Sequence, residues 1–105
     1  MSAREPLPNR RYCETVKLRH GHGRAAYHVT IGQYEDGRVA EVFLSTNQTG
    51  SALDAMARDL AVLMSLALQH GCALETIKHA LTREANGEPA TIAGAVVDKL
   101  LESRR

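Results

Sequence analysis

The chain has no tryptophan and only four aromatic residues, Tyr12, Tyr27, Tyr34 and Phe43. That is a thin supply of stacking surface for single-stranded nucleic acid, whose bases are held on aromatic faces. The net charge is +1 over 105 residues, so no bulk field draws the protein to a polyanion. Two cysteines, Cys13 and Cys72, stand far apart and match no metal-ligating or redox spacing. Two structural thiols in a reducing compartment are expected. Long apolar runs are also missing. The longest, Leu60 to Met64, is far too short to span a bilayer, which argues against a membrane protein. The opening "MSAREPLPNRR" carries charge with no apolar stretch after it, so no secretory signal is expected and the cytoplasm is the expected location. The length suits one domain with a single core.

What charge there is lies unevenly. Residues 1–24 hold six Lys/Arg (Arg4, Arg10, Arg11, Lys17, Arg19, Arg24) against Glu5 and Glu14, whereas the remainder holds seven against ten. Residues 1–10 read as a basic, Pro-containing arm and 11–105 as the folded domain, because Pro6 and Pro8 prevent a clean helix start. The arm and the first strand offer Arg10, Arg11, Lys17 and Arg19 as a contact surface for an acidic partner; a solvated basic face is the simpler reading.

Period-two alternation marks the next segments. In "YCETVKLR", Tyr12, Val16 and Leu18 oppose Cys13, Thr15 and Lys17, with Glu14 the exception on the apolar side. "HGHG" (His20 to Gly23) is a turn, and "AAYHVTIGQY" sets Tyr27, Val29 and Ile31 against His28 and Thr30. The Asp36-Gly37 pair favours a tight hairpin in which both residues take positive φ, and "VAEVFLST" returns as a third strand. From Ser51 the period becomes helical. Leu53, Ala57, Leu60, Met64 and Ala67 form one stripe, with Met56, Leu63 and Leu66 beside it and Gly71 as the residue after the helix end. "CALETIKHALT" makes a shorter helix with Leu74, Ile77 and Leu81 apolar. "TIAGAVVDKLLESRR" makes a third, capped by Thr91, with Ile92, Val96 and Leu100 on its stripe. The expected fold is α+β, a three-stranded antiparallel meander followed by three helices packed on one face. Ala61, Val62, Leu66 and Leu68 flank the main stripe of the long helix, extending its apolar surface beyond one sheet face. A homodimer, by way of that helix or the sheet edge, is therefore expected, with Leu66 at the interface.

The junction "NQTGS" (Asn47 to Ser51) has two readings. As a helix cap, Ser51 accepts a first-turn N–H and Asp54 completes an acidic variant of the capping box while complementing the helix dipole. As an anion or nucleotide site, Asn47, Gly50 and Ser51 would bind through the same N–H groups. No lysine follows the glycine and Asp54 would repel an anion, so the cap is preferred. His20 and His22, with His28 or Cys13, have the residue types of a metal site but no third ligand at fixed spacing. No metal, no cofactor and no catalytic residue is expected.

Several of these features occur together in a known family. The "VTI" strand, the "DGR…EVF" hairpin, the "N-x-x-G-S" junction and the "L…LxSLAL…G" helix, with a leading "RxPLP" at Arg4 to Pro8, resemble the TSCPD domain. That domain forms the C-terminal module of adenosylcobalamin-dependent ribonucleotide reductases and also occurs as small free-standing proteins. The Thr-Ser-Cys-Pro-Asp run that names the family is replaced here by "ATIAG" (Ala90 to Gly94), so no role of its cysteine carries over. The resemblance implies a non-catalytic accessory or interaction module, tied to deoxynucleotide supply, with a reductase or another protein as partner. It also implies no reductase chemistry by this chain alone. Two alternatives stand beside it. One is a small nucleic-acid-binding module using the basic N-terminal part, which the few aromatics oppose. The other is a nucleotide- or anion-binding domain using the Asn47–Ser51 junction.

Overall fold

The computed structural model describes residues 3–10, 12–21, 25–48 and 50–103. Three strands, β1 (Cys13–His20), β2 (Ala25–Gln33) and β3 (Val39–Thr46), precede three helices, α1 (Ala52–Gln69), α2 (Leu74–Ala80) and α3 (Ile92–Ser103). The sheet is an antiparallel meander in the order β1-β2-β3. Arg11, His22, Gly23 and Arg24 lie outside the described residues. No described helix is long and apolar enough to cross a membrane.

Alternation sets the two faces of the sheet. Val16 lies opposite Val29 and Leu18 opposite Tyr27, while Val29 and Ile31 pair with Leu44 and Val42. These side chains share one face, and all are buried except Val16 and Leu18, which are half-buried at its edge. The hairpin after β2 is wider than the Asp36-Gly37 pair suggests. Tyr34 N–H donates to Arg38 C=O and Gly37 N–H to Tyr34 C=O, both at 2.9 Å. Gly37 takes the positive φ of 88° that a side chain disfavours. Asp36 contributes its carboxylate instead, accepting from the Arg38 N–H at 3.1 Å.

The buried stripe of α1 is rotated from the expected one. Asp54, Ala57, Ala61, Met64 and Leu68 face the core, while Leu53, Met56, Leu63 and Leu66 are exposed. So of the residues expected to flank the stripe, Ala61 and Leu68 belong to the core and only Val62 and Leu66 remain outside. The cause is polar. Three α1 side chains satisfy the outer edge of β3, and that fixes the rotation. Asp54 accepts the Thr46 N–H at 2.8 Å, Ser65 Oγ accepts the Val42 N–H at 2.8 Å and donates to Val42 C=O, and Gln69 Nε2 donates to Ala40 C=O at 3.0 Å. A strand edge left open is a template for unwanted pairing, and α1 closes this one. The helix ends on Gly71 (φ 92°), with Cys72 N–H donating to Ala67 C=O and Gly71 N–H to Leu68 C=O, the Schellman arrangement.

The third helix supplies the other half of the core through Ile92, Ala93, Val96, Val97 and Leu100, and Thr91 Oγ1 accepts the Gly94 N–H at its start. None of the residues of α2 is fully buried; its Leu74 and Ile77 cover the core from outside. The segment between α2 and α3 is tied down by Arg83, which grips the Asp98 carboxylate with two N–H groups at 2.6 and 2.9 Å.

Glu41 lies on the outer face of β3 yet is buried, folded over Gly32 of β2. A Cβ on Gly32 would stand 2.6 Å from Glu41 Oε1 and 2.7 Å from its Cγ. Gly32→Ala should therefore lower stability by about 1–2 kcal/mol in urea unfolding. The double variant Gly32→Ala/Glu41→Ala should regain part of that loss, because it removes the collision.

Candidate functional site

Among the described residues no helix packs over the sheet's outer face, where Thr15 and Lys17 are exposed. This face meets the side of α1 in a groove of about 450 Å³. Sheet side chains His28, Thr30, Phe43 and Ser45 form one wall, and Arg58, Val62 and Leu66 form the other. Phe43 is placed here by the strand period: its neighbours Val42 and Leu44 turn inward, so it turns outward and is 54% exposed. Val62 and Leu66 arrive because the edge contacts of Asp54, Ser65 and Gln69 rotate them out of the core.

Polar groups hold the groove's ends. Arg4 Nε donates to Gln69 Oε1, and Glu5 N–H donates to Gln69 C=O at 2.8 Å, so the N-terminal arm is docked across the end of α1. Tyr34 Oη donates to Glu5 C=O at 2.8 Å, and Arg38 pairs with the Glu5 carboxylate at 3.0 Å while lying over the Tyr34 ring. At the other end Arg58 Nε donates to Asp54 at 2.9 Å, which with the Thr46 N–H holds the Asp54 carboxyl below its ordinary pKa. His28 Nε2 and Asn47 Oδ1 are 3.0 Å apart. The groove thus joins an apolar strip to two guanidinium groups already anchored by neighbours. That composition suits contact with another macromolecular surface, an apolar centre within a polar rim.

The residues singled out from the sequence are spread over several places. Ser51 is a cap: its Oγ accepts the Asp54 N–H at 3.1 Å. The reciprocal half of the capping box is not made, because the Asp54 carboxylate turns to β3 and Arg58 instead. Gly50 takes φ 84° at the turn, and Asn47 is exposed beside His28. Arg10, Lys17 and Arg19 are exposed, Arg19 lining a small depression with Asn47, while Leu66 lies in the groove. Arg11 and His22 lie outside the described residues. Among the described residues no group of three His, Cys, Asp or Glu side chains could hold a metal ion. The sequence reading did not pick out Phe43 or Arg58 for a site. Phe43 had a visible signal: it is an aromatic residue on the polar phase of a strand.

Comparison with known proteins follows the same span. The sequence model described as "TSCPD domain" matches residues 3–103. The chain is 42% identical over 79 residues to the vitamin B12-dependent ribonucleotide reductase of Agrobacterium fabrum, covering 75% of this chain and 6% of that protein. It is 38% identical over 82 residues to the reductase of the same name from Bradyrhizobium diazoefficiens, covering 78% and 6%. A third protein of that name, from Rhodopirellula baltica, is 32% identical over 102 residues, covering 90% and 10%. The chain therefore spans 6 to 10% of the length of the curated relatives it matches. No solved structure matches it significantly.

Proposed function

The chain belongs to the TSCPD domain family, and from that premise we propose that it is a non-catalytic accessory module, acting in the cytoplasm as a homodimer with a vitamin B12-dependent ribonucleotide reductase. The observation that carries this reading is the identity of 42% to a segment making up 6% of such a reductase. The matched segment is a small part of each reductase, and a unit of that size acts most simply by contact with the rest of such a protein. The surface supports contact: Phe43, Val62 and Leu66 line an apolar groove, and Met56 and Leu63 continue the exposed apolar surface along α1. Single exposed apolar residues are ordinary, but a contiguous group of this kind marks an interface.

The test is capture of the tagged chain from its own cells, followed by mass spectrometry and by assay of the captured reductase. A ribonucleotide reductase polypeptide should be recovered in stoichiometric amount, and Phe43→Ser should reduce its recovery at least tenfold. Capture without any reductase polypeptide would overturn the proposal. So would tight binding of the purified chain to nucleic acid with a steep salt dependence, which would assign the basic residues Lys17 and Arg19 the leading role.

A further inference from the structure

The dimer contained in that proposal acquires a definite geometry from the solvent face of α1. Met56, Asp59, Leu63, Leu66 and His70 are spaced alternately by three and four residues, so they form one seam along the helix. The seam lies opposite the buried stripe of Ala57, Ala61, Met64 and Leu68. Its apolar members are open to solvent, Met56 by 63% and Leu63 by 65%. Its middle is leucine only, and its two polar members, Asp59 and the C-cap residue His70, stand on either side of that middle.

This distribution is self-complementary in one orientation. With a two-fold axis midway between Leu63 and Leu66, antiparallel helices set Leu63 of each copy against Leu66 of the other. Asp59 of each copy then meets His70 of the other, and an imidazole can donate to a carboxylate in either charge state. A parallel pair in register would instead set Asp59 against Asp59, a like-charge contact that disfavours it. Val62 and Phe43 lie in the groove beside the seam, where this pairing leaves them for the reductase.

We propose that two copies of this chain pair α1 antiparallel through Leu63 and Leu66, with reciprocal Asp59–His70 contacts at the ends of the seam. This rests on the dimer reading above, and the experiment separates the two. Light scattering at micromolar concentration tests the dimer itself: a mass of 11.5 kDa that does not rise with concentration overturns both. If the wild type is a dimer, Leu63→Glu should weaken association at least about 100-fold, leaving the circular dichroism spectrum unchanged because Leu63 is outside the core. A folded Leu63→Glu variant that remains a full dimer overturns the seam and leaves the dimer reading standing. Orientation is read by cross-linking in a Cys13→Ser/Cys72→Ser background. Asp59→Cys with His70→Cys should give a covalent dimer on mild oxidation, since within one chain the two positions are about 16 Å apart along the helix, too far to bridge. Asp59→Cys alone should give none. A covalent dimer from Asp59→Cys alone, or none from the pair, overturns the antiparallel arrangement.

Discussion

Asp54→Ala should lower the melting temperature by about 10–15 °C, the largest loss from any single polar side chain of α1. The carboxylate is 3% exposed and does three things at once. It accepts the Thr46 N–H at 2.8 Å and the Thr46 hydroxyl at 3.2 Å, and it receives Arg58 at 2.9 Å. The ion pair by itself adds little, because the Arg58 side chain is 58% exposed and water screens it. The larger effect lies in β3: Thr46 is itself buried, and removing the acceptor leaves its N–H orphaned at the end of the strand. An orphaned buried donor costs about 1–3 kcal/mol, and each kcal/mol moves the melting temperature of a domain this size by about 4–8 °C. Asp54→Asn keeps an acceptor oxygen and should lose less. It should also change the acid limb of stability. The folded-state pKa of Asp54 lies below its unfolded value, chiefly through Arg58 and then the Thr46 N–H. Its stabilisation is therefore complete above the ordinary carboxylate range and is lost as pH falls through the depressed folded value. Asp36, held down first by the Arg38 backbone N–H and then by its guanidinium, and Asp98, held down by the Arg83 guanidinium, add to the same limb. Calorimetry between about pH 3 and pH 7 should thus show a shallower decline for Asp54→Asn than for the wild type, with the two curves converging in acid. Parallel curves would remove the carboxylate's charge from the account.

The same carboxylate shows where sequence reading reaches its limit. The meander was legible because each strand buries one face, which leaves a period of two: Tyr27, Val29 and Ile31 are buried and His28 and Thr30 are not. The cap at Ser51 and the stop at Gly71 were legible because both are local, set within a few residues. The rotation of α1 was not. Periodicity counts apolar residues, and α1 has them on every side, so several stripes score alike. The contacts that decide among them are polar and reach across 8 to 29 residues of sequence, from Asp54 to Thr46, Ser65 to Val42 and Gln69 to Ala40. Asp54 was read as part of the helix cap and Ser65 and Gln69 were given no role, whereas all three turn toward β3 and close its edge. The groove was hidden for the same reason, since Val62 and Leu66 reach it only through that rotation. Leu66 was nevertheless recognised as an outward residue, and the resemblance of the whole string placed the family correctly.

The two short helices should differ sharply when each is truncated. Leu100 of α3 is 2% exposed within the shared core, so Leu100→Ala should cost about 3 kcal/mol, the transfer of its methyl groups plus the cavity left behind. Ile77 of α2 is half-buried and packs on the core from outside, where water can enter the vacated space, so Ile77→Ala should cost about half as much. The difference follows from how each helix is held. Five apolar side chains of α3 are buried in the core it shares with the sheet and α1, and Arg83 grips Asp98. By contrast α2 has no fully buried residue and no side-chain bond at its N-cap. Urea unfolding gives the comparison directly: the midpoint should fall about twice as far for Leu100→Ala, with the slope unchanged in both variants. Equal losses would mean that α2 is part of the core. A reduced slope for Ile77→Ala alone would mean that α2 unfolds apart from the rest of the domain.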